Sequence, residues 1–304
     1  MSFASFAKAL PPSLSLAGRT ALITGSSSGI GRQTALHLAR AGASVLCTDL
    51  QPEPLGTQKA PSEVSRHVPT HDRQFLNVTS EADFKTAIDK SVSFGNGRLD
   101  ILVNNAGVTA FSGGIEHESI ETLDKLMQIN IKGVWLGTKL AVQQMLTQEP
   151  LAFPADLEED LDSFNDVPPP AYNAQPGSPI SNVGRRHNDK GARGSRGTII
   201  QIASIHGLIG GGPSEPAYCA SKGAVVNLTR QIACDYAPHS INVNAIAPGY
   251  LAGTAMVADI SPEIAALSLF NETIFNARTI VYTETAKHIF PPTNRSELRD
   301  VPPA

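Results

Sequence analysis

Several features that would mark a specialised protein class are scarce in this chain. It has only 3 cysteines in 304 residues. Cys47, Cys219 and Cys234 are too scattered for a C-x-x-C zinc site or an even disulfide framework. A reduced, cytoplasmic setting is expected. No apolar run approaches the ~18 residues needed to span a bilayer, which excludes an integral membrane reading. No single sign of charge dominates: 24 Lys+Arg stand against 28 Asp+Glu, a net charge of −4. Such a balance offers no field for gripping nucleic acid or an anionic membrane. The 8 histidines show no metal-ligand spacing, so no metal is expected. No acidic residue precedes Asp49, and residues 1–17 lack the basic start and apolar core of a secretory leader. Residues 1–18 are read as an N-terminal arm.

From Arg19 onward the pattern is regular. Thr20–Thr24 (TALIT) is a short apolar run ended by Gly25, the mark of a buried strand. Ile30–Ala41 reads as a helix stopped by Gly42, and Ala43–Asp49 as a second strand. A polar stretch follows, then a helix over Glu81–Phe94 and a strand over Leu99–Val103. A long helical pattern covers Leu123–Leu146. Thr198–Ala203 reads as a strand, Ala217–Tyr236 as a helix and Ile241–Ile246 as a strand. This alternation predicts an α/β fold whose doubly wound parallel sheet is covered on both faces. Ligands gather at the carboxyl ends of such strands.

Thr24–Gly31 (TGSSSGIG) lies between the first strand and the first helix, with glycines at 25, 29 and 31. Gly25 permits a tight turn, and missing side chains let backbone approach a pyrophosphate at the helix N-terminus. Asp49 closes the second strand. A carboxylate there accepts both hydroxyls of an adenosine ribose and repels a 2′-phosphate. No Arg or Lys lies among Gly25–Gly31 or in Leu50–Gln51. NAD is therefore expected, with NADP the alternative.

A second constellation lies further along. Tyr218 and Lys222, in Y-C-A-S-K, share one helical face. An unperturbed tyrosine, with pKa ~10, is a poor acid/base near neutrality; a neighbouring ammonium favours the phenolate. Ser204 follows an apolar strand at its carboxyl end, where a hydroxyl can polarise a carbonyl oxygen. Asn130 interrupts a helix face otherwise lined by Leu126, Ile129 and Val134.

Taken together, these residues resemble the short-chain dehydrogenase/reductase family in its common single-domain form. The resemblance runs from about Arg19 to Met256, interrupted once. T-G-x-x-x-G-I-G stands at 24–31, N-N-A-G at 104–107 and the helix asparagine at Asn130. The serine is Ser204, Y-x-x-x-K spans 218–222, and P-G is 248–249. The resemblance implies a Rossmann-type three-layer fold and hydride transfer between a secondary alcohol or ketone and NAD(P). It assigns catalysis to Asn130, Ser204, Tyr218 and Lys222. Tyr218 would be the acid/base, and Lys222 would hold the nicotinamide ribose and lower the Tyr218 pKa. Ser204 would orient the substrate oxygen, and Asn130 would hold a water linking Lys222 to solvent. Cofactor contacts are implied for Gly25, Ser27, Gly29, Ile30, Gly31, Asp49, Asn77, Val78, Asn104 and Ala106. Tyr218, Lys222, Pro248, Gly249, Leu251 and Thr254 complete that set. Relatives form homodimers or homotetramers through the helices represented here by 123–146 and 217–236.

The chain also departs from the family pattern. Asn77 stands where the family commonly has Asp, and Thr254 arrives one residue late after Pro248-Gly249. Residues 148–197, rich in proline, are expected to be a disordered insertion opposite the active site. No glycine follows Gly253, and nothing in 257–304 matches the family's usual ending, so a divergent C-terminal segment is expected there. TIVYT at 279–283 reads as a strand without an assigned place, which leaves the last strand of the sheet open. Residues 19–304 otherwise read as one NAD(P)-binding domain. His206 reads as structural, and the N-x-S/T sequons carry no weight without a secretory leader. Two alternatives to the alcohol dehydrogenase reading are an NADPH-dependent 3-oxoacyl or polyketide-type ketoreductase and a catalytically impaired nucleotide-binding homologue.

Overall fold

The structure, a computed structural model, describes residues 15–51, 71–152, 194–210, 215–249 and 280–283. Strand β1 (Thr20–Thr24) and helix α1 (Gly29–Arg40) lead to β2 (Ser44–Asp49) and β3 (His71–Phe75). Helix α2 (Glu81–Phe94), β4 (Ile101–Asn104), α3 (Ile120–Leu126) and α4 (Val134–Leu146) follow. After the short strands β5 (Leu151–Ala152) and β6 (Gly194–Ser195) come β7 (Gly197–Ile202), α5 (Pro216–Tyr236), β8 (Ile241–Ala247) and β9 (Ile280–Thr283).

The main sheet has the order β3-β2-β1-β4-β7-β8-β9. Strand order reverses outward from β1 and β4, as in a doubly wound sheet, and the first six strands are parallel. The sheet is nonetheless mixed. β9 pairs antiparallel to β8, with Ala247 opposite Ile280 and Asn244 opposite Thr283. The TIVYT segment is thus the edge strand whose place the sequence left open. β3 is a further strand, within the stretch read as polar. Its sequence HDRQF carries no buried run, because an edge strand pairs on one side only and Asp72 and Phe75 lie exposed. The ladder to β2 holds it in register from Val45–His71 to Asp49–Phe75.

Two apolar layers sandwich the sheet. Leu22, Leu46, Leu102 and Ile199 turn toward α2 and α4, packing with Phe84, Leu140 and Met145. The alternate residues Ala21, Ile23, Val45 and Val103 turn toward Ala35 and Ala39 of α1. This is the period-2 alternation of a sheet buried on both faces. Helix α2 begins and ends where the sequence predicts. The Ser80 hydroxyl accepts from Asp83 N (3.2 Å) and donates to the Asp83 carboxylate (2.9 Å), and Gly95 closes the last turn. The long helix over 123–146 is not continuous. Met127–Gly133 is a π turn between α3 and α4, with Asn130 at its middle. Among the described residues, no helix is long and apolar enough to cross a membrane.

The 148–197 segment is ordered at both ends. β5 and β6 form a two-stranded antiparallel ribbon, Leu151 opposite Ser195 and Ala152 opposite Gly194. Gln148 ties this stem to the sheet, accepting from Leu99 N (2.8 Å) and donating to Leu99 O (3.1 Å) and Arg196 O (2.8 Å). These contacts lie at the amino ends of β4 and β7, opposite the carboxyl ends that bear the site. The expectation of disorder over 153–193 falls outside the described residues.

Candidate active site

The carboxyl ends of β1, β2 and β4 build one half of the site. Gly25 has φ +65°, so the turn after β1 suits glycine. Gly31 lets α1 close against that turn, since a Cβ there would run into Gly25 O and the Asn105 amide. Helix α1 has no acidic residue in its first turn, and Ser28 makes no side-chain cap bond. Its first N–H groups thus have no side-chain cap from Ser28, and an uncapped helix start with its positive dipole end suits an anion. Ser26 bonds Thr48 O through both its backbone N (3.1 Å) and its hydroxyl (3.2 Å). Asp49 Oδ2 accepts from Ser27 N (3.0 Å) and from the Ser27 hydroxyl. The carboxylate is thus locked beside the glycine turn. Ile30 and Ala106 border the same turn, Ile30 packed on the core beneath α1 and Ala106 bonded through N to Thr24 Oγ1 (3.0 Å).

Three further residues of the predicted set have protein partners beside this turn and ahead of α2. The Asn104 side chain is buried and donates to Thr138 Oγ1 (3.2 Å) and Gln201 Oε1 (2.9 Å) beneath α4. The neighbouring Asn105 is the residue that reaches the glycine turn. Its amide donates to Thr24 O (3.0 Å) and Gly25 O (2.9 Å). The sequence signal was a doublet at a strand end, and alternation across the pleat decides which asparagine faces which way. Asn77 turns its side-chain oxygen onto Thr79 N (3.0 Å) and Thr79 Oγ1 (2.9 Å), a local turn ahead of α2. Val78 packs on Gly133 of the π turn and on the core.

The other half is built by α5 and the loop after β7. Tyr218 and Lys222 both lie buried on α5. Lys222 Nζ sits 5.7 Å from the Tyr218 ring centroid and donates to Ile202 O at the end of β7 (2.8 Å). It is only 3 % exposed, and among the described residues no carboxylate pairs with it. Burial therefore lowers its pKa from 10.5 to about 8. Ser204 opens the short 3₁₀ turn Ile205–Gly207, and its Oγ accepts from His206 N (3.2 Å). Pro248 lies alongside, its carbonyl accepting from Ile205 N (2.9 Å), with Gly249 next to it. Leu251 and Thr254 lie outside the described residues.

Asn130 joins the two halves. Its Oδ1 accepts from Val108 N (2.9 Å), and its Nδ2 donates to Val108 O (2.9 Å) and Ser221 Oγ (3.0 Å). Ser221 passes the link to Tyr218 O (2.8 Å). Both ends of the amide are therefore engaged, and the side chain ties the loop after Gly107 to α5. Gly107 lies at the centre: a Cβ there would stand 3.2 Å from Asn130 Oδ1 and 3.4 Å from Lys222 Nζ. Among the described residues, no group of three or more His, Cys, Asp or Glu is placed to hold a metal ion.

Comparison with known proteins agrees with this geometry. The short chain dehydrogenase family model matches residues 19–150 and 187–265, more than half of the chain. The chain is 32% identical over 252 residues to 2-(S)-hydroxypropyl-CoM dehydrogenase 3 of Xanthobacter autotrophicus, covering 81% of this chain and 79% of that one. It is 29% identical over 241 residues to the 3-oxoacyl-[acyl-carrier-protein] reductase FabG of Thermotoga maritima, covering 78% and 75%. Among solved structures, a protein described as an NAD(P) dependent gluconate 5-dehydrogenase from Beutenbergia cavernae, with NADP bound at low occupancy, superposes with a TM-score of 0.61. That pair shares 28% identity over 84% of this chain and 82% of the other. The chain belongs to the short-chain dehydrogenase family of oxidoreductases, built on a Rossmann-type α/β fold.

Proposed function

We propose that the protein interconverts a secondary alcohol and a ketone with a nicotinamide cofactor, NAD in preference to NADP. The observation that carries this reading is the buried Lys222 ammonium beside the Tyr218 ring, on the helix that packs against the Ser204 turn. The chain's donor set fits the cofactor. The uncapped start of α1 suits the pyrophosphate, Asp49 the adenosine ribose and Lys222 the nicotinamide ribose. When bound, the nicotinamide supplies or takes the hydride. Tyr218 transfers the proton between its hydroxyl and the substrate oxygen. The adjacent Lys222 cation favours the phenolate and so brings this exchange toward neutrality. Ser204 donates a hydrogen bond to the same oxygen and orients it. Asn130 and Ser221 hold Tyr218 and the loop after Gly107 in one frame.

Residues 19–304 act in this reading as one nucleotide-binding domain in a cytoplasmic homodimer or homotetramer, with a small-molecule substrate. A second reading, an NADPH-dependent 3-oxoacyl or polyketide-type reductase, is supported by the NADP in the Beutenbergia cavernae structure and by the resemblance to FabG. The Asp49 carboxylate disfavours it, since a 2′-phosphate would meet a like charge. Titration with NADH and NADPH followed by nicotinamide fluorescence decides between them: tighter NADH binding supports the first reading, tighter NADPH binding the second. A screen of secondary alcohols and ketones then tests the chemistry. Tyr218→Phe should cut turnover by about 10²- to 10⁴-fold, and unchanged turnover in that variant would remove Tyr218 as the acid/base.

A further inference from the structure

His206 and Glu215 form a buried pair beside the reacting groups. His206 Nδ1 lies 3.1 Å from Glu215 Oε2, and both side chains are more than nine-tenths buried. The two residues come from different elements, the turn after β7 and the start of α5. His206 also touches both groups assigned to chemistry. Its backbone N donates to Ser204 Oγ, and its ring meets the Tyr218 ring edge-on, with centroids 6.1 Å apart and planes at 83°. One residue further on, the turn closes directly onto α5: a Cβ on Gly207 would come within 2.6 Å of Lys222 C and O.

The start of α5 is built to free Glu215 for this task. Glu215 is the N-cap residue, but its side chain makes no cap bond. The first-turn donor Ala217 N is satisfied instead by Glu118 Oε2 (3.2 Å) from the segment ahead of α3. Glu215 is thereby left to reach back to His206. Burying such a pair is a poor route to stability, because desolvation offsets most of the attraction between the partners. What the pair does supply is geometry. Glu215 lies three residues before Tyr218, and His206 lies two after Ser204, so their bond ties the turn that carries Ser204 to the start of the helix that carries Tyr218.

We infer that His206 and Glu215 are positioning residues: a clasp that sets the Ser204 hydroxyl against the Tyr218 hydroxyl through the reach of the Glu215 side chain. The inference rests on the proposed roles of Ser204 and Tyr218. It predicts that reach matters and charge does not.

Two substitutions separate these properties. Glu215→Gln keeps the length and a hydrogen-bonding end, whereas Glu215→Asp keeps the charge and falls one methylene short. Hydrogen–deuterium exchange on the cofactor-free protein reads the clasp without any turnover. Glu215→Asp should speed exchange several-fold in peptides covering Ser204–Leu208 and Ala217–Cys219, and Glu215→Gln should leave it as in the wild type. In turnover, Glu215→Asp should lower kcat by about 10- to 100-fold, with KM and the NADH dissociation constant within about twofold. Glu215→Gln should retain at least about a third of kcat. Loss in Gln with retention in Asp would overturn the clasp in favour of a charge effect, and unaltered exchange in Asp would overturn it outright. If the wild type turns over no alcohol or ketone, the proposed function fails, while the exchange experiment still decides the clasp.

Discussion

Two buried charges, at opposite ends of the same sheet, are treated in opposite ways. At the amino end Asp100 is 4 % exposed and fully partnered. Arg98 reaches Oδ1 through Nε (3.1 Å) and Nη2 (3.0 Å), Arg19 lies 3.5 Å away, and Thr20 N donates to Oδ2 (2.9 Å). At the carboxyl end Lys222 is as deeply buried, yet its hydrogen bond goes to a carbonyl and its pKa falls to about 8. A buried charge with its counter-charges in place holds strands together. One without them is energetically costly, and such sites are where ligands are met. The contrast separates the structural end of the sheet from the end where the proposed site lies.

The comparison can be broken most severely at Asp100. Asp100→Ala leaves two arginines and a strand-opening N–H without their carboxylate. It should cost about 3–5 kcal/mol of stability, measured by urea unfolding, while NADH binding to the folded fraction stays unchanged.

Lys222 should answer in the other direction. Its folded pKa of about 8 lies below the ordinary value of 10.5, so the unfolded chain binds more protons between those limits. Stability should therefore rise as pH climbs from about 8 to 10.5, and the full cost stands below pH 8. Lys222→Met removes that cost. At pH 7 it should gain up to about 3 kcal/mol of stability, a gain that fades toward pH 10.5, and lose turnover. A destabilised Lys222→Met at pH 7 would mean that the bond to Ile202 outweighs desolvation.

Smaller effects sharpen the picture within the reacting end. Asp49→Ser keeps a partner for Ser27 but removes the charge. It should shift the NADH-to-NADPH affinity ratio toward NADPH by about tenfold, equivalent to ~1.4 kcal/mol. Far from both charges, Ser80→Ala deletes only the cap of α2. It should cost about 1 kcal/mol, read in thermal unfolding, with both cofactor affinities untouched.

How much of this was legible in the sequence depended on where each signal resides. β1 and α1 read clearly because local residues punctuate them, Gly25 after the strand and Gly42 after the helix. β3 escaped because an edge strand needs no apolar run, and its pairing with β2 is a tertiary fact. The π turn escaped because Met127–Gly133 keeps an apolar period that an α-helix would also show. At the site, Tyr218, Lys222 and Ser204 were visible as a spaced set, and the structure brings them to adjoining elements. Asn105 was hidden by its twin Asn104, since only the pleat tells them apart. His206 read as a lone histidine because Glu215, its partner, lies on another element. Chemistry shared across a fold leaves no mark in a local pattern.

The ribbon of β5 and β6 has one more consequence. Because Ala152 stands opposite Gly194, whatever lies between them departs from and returns to nearly the same point. Lengthening a closed excursion is cheap in entropy, about 0.6 kcal/mol for each doubling. The ribbon is thus a docking port for evolution and for engineering alike. A tag or a fluorophore spliced between Ala152 and Gly194 should leave the carboxyl ends of the strands, and the proposed site there, in shape, since the ribbon stands at the opposite, amino ends of β4 and β7.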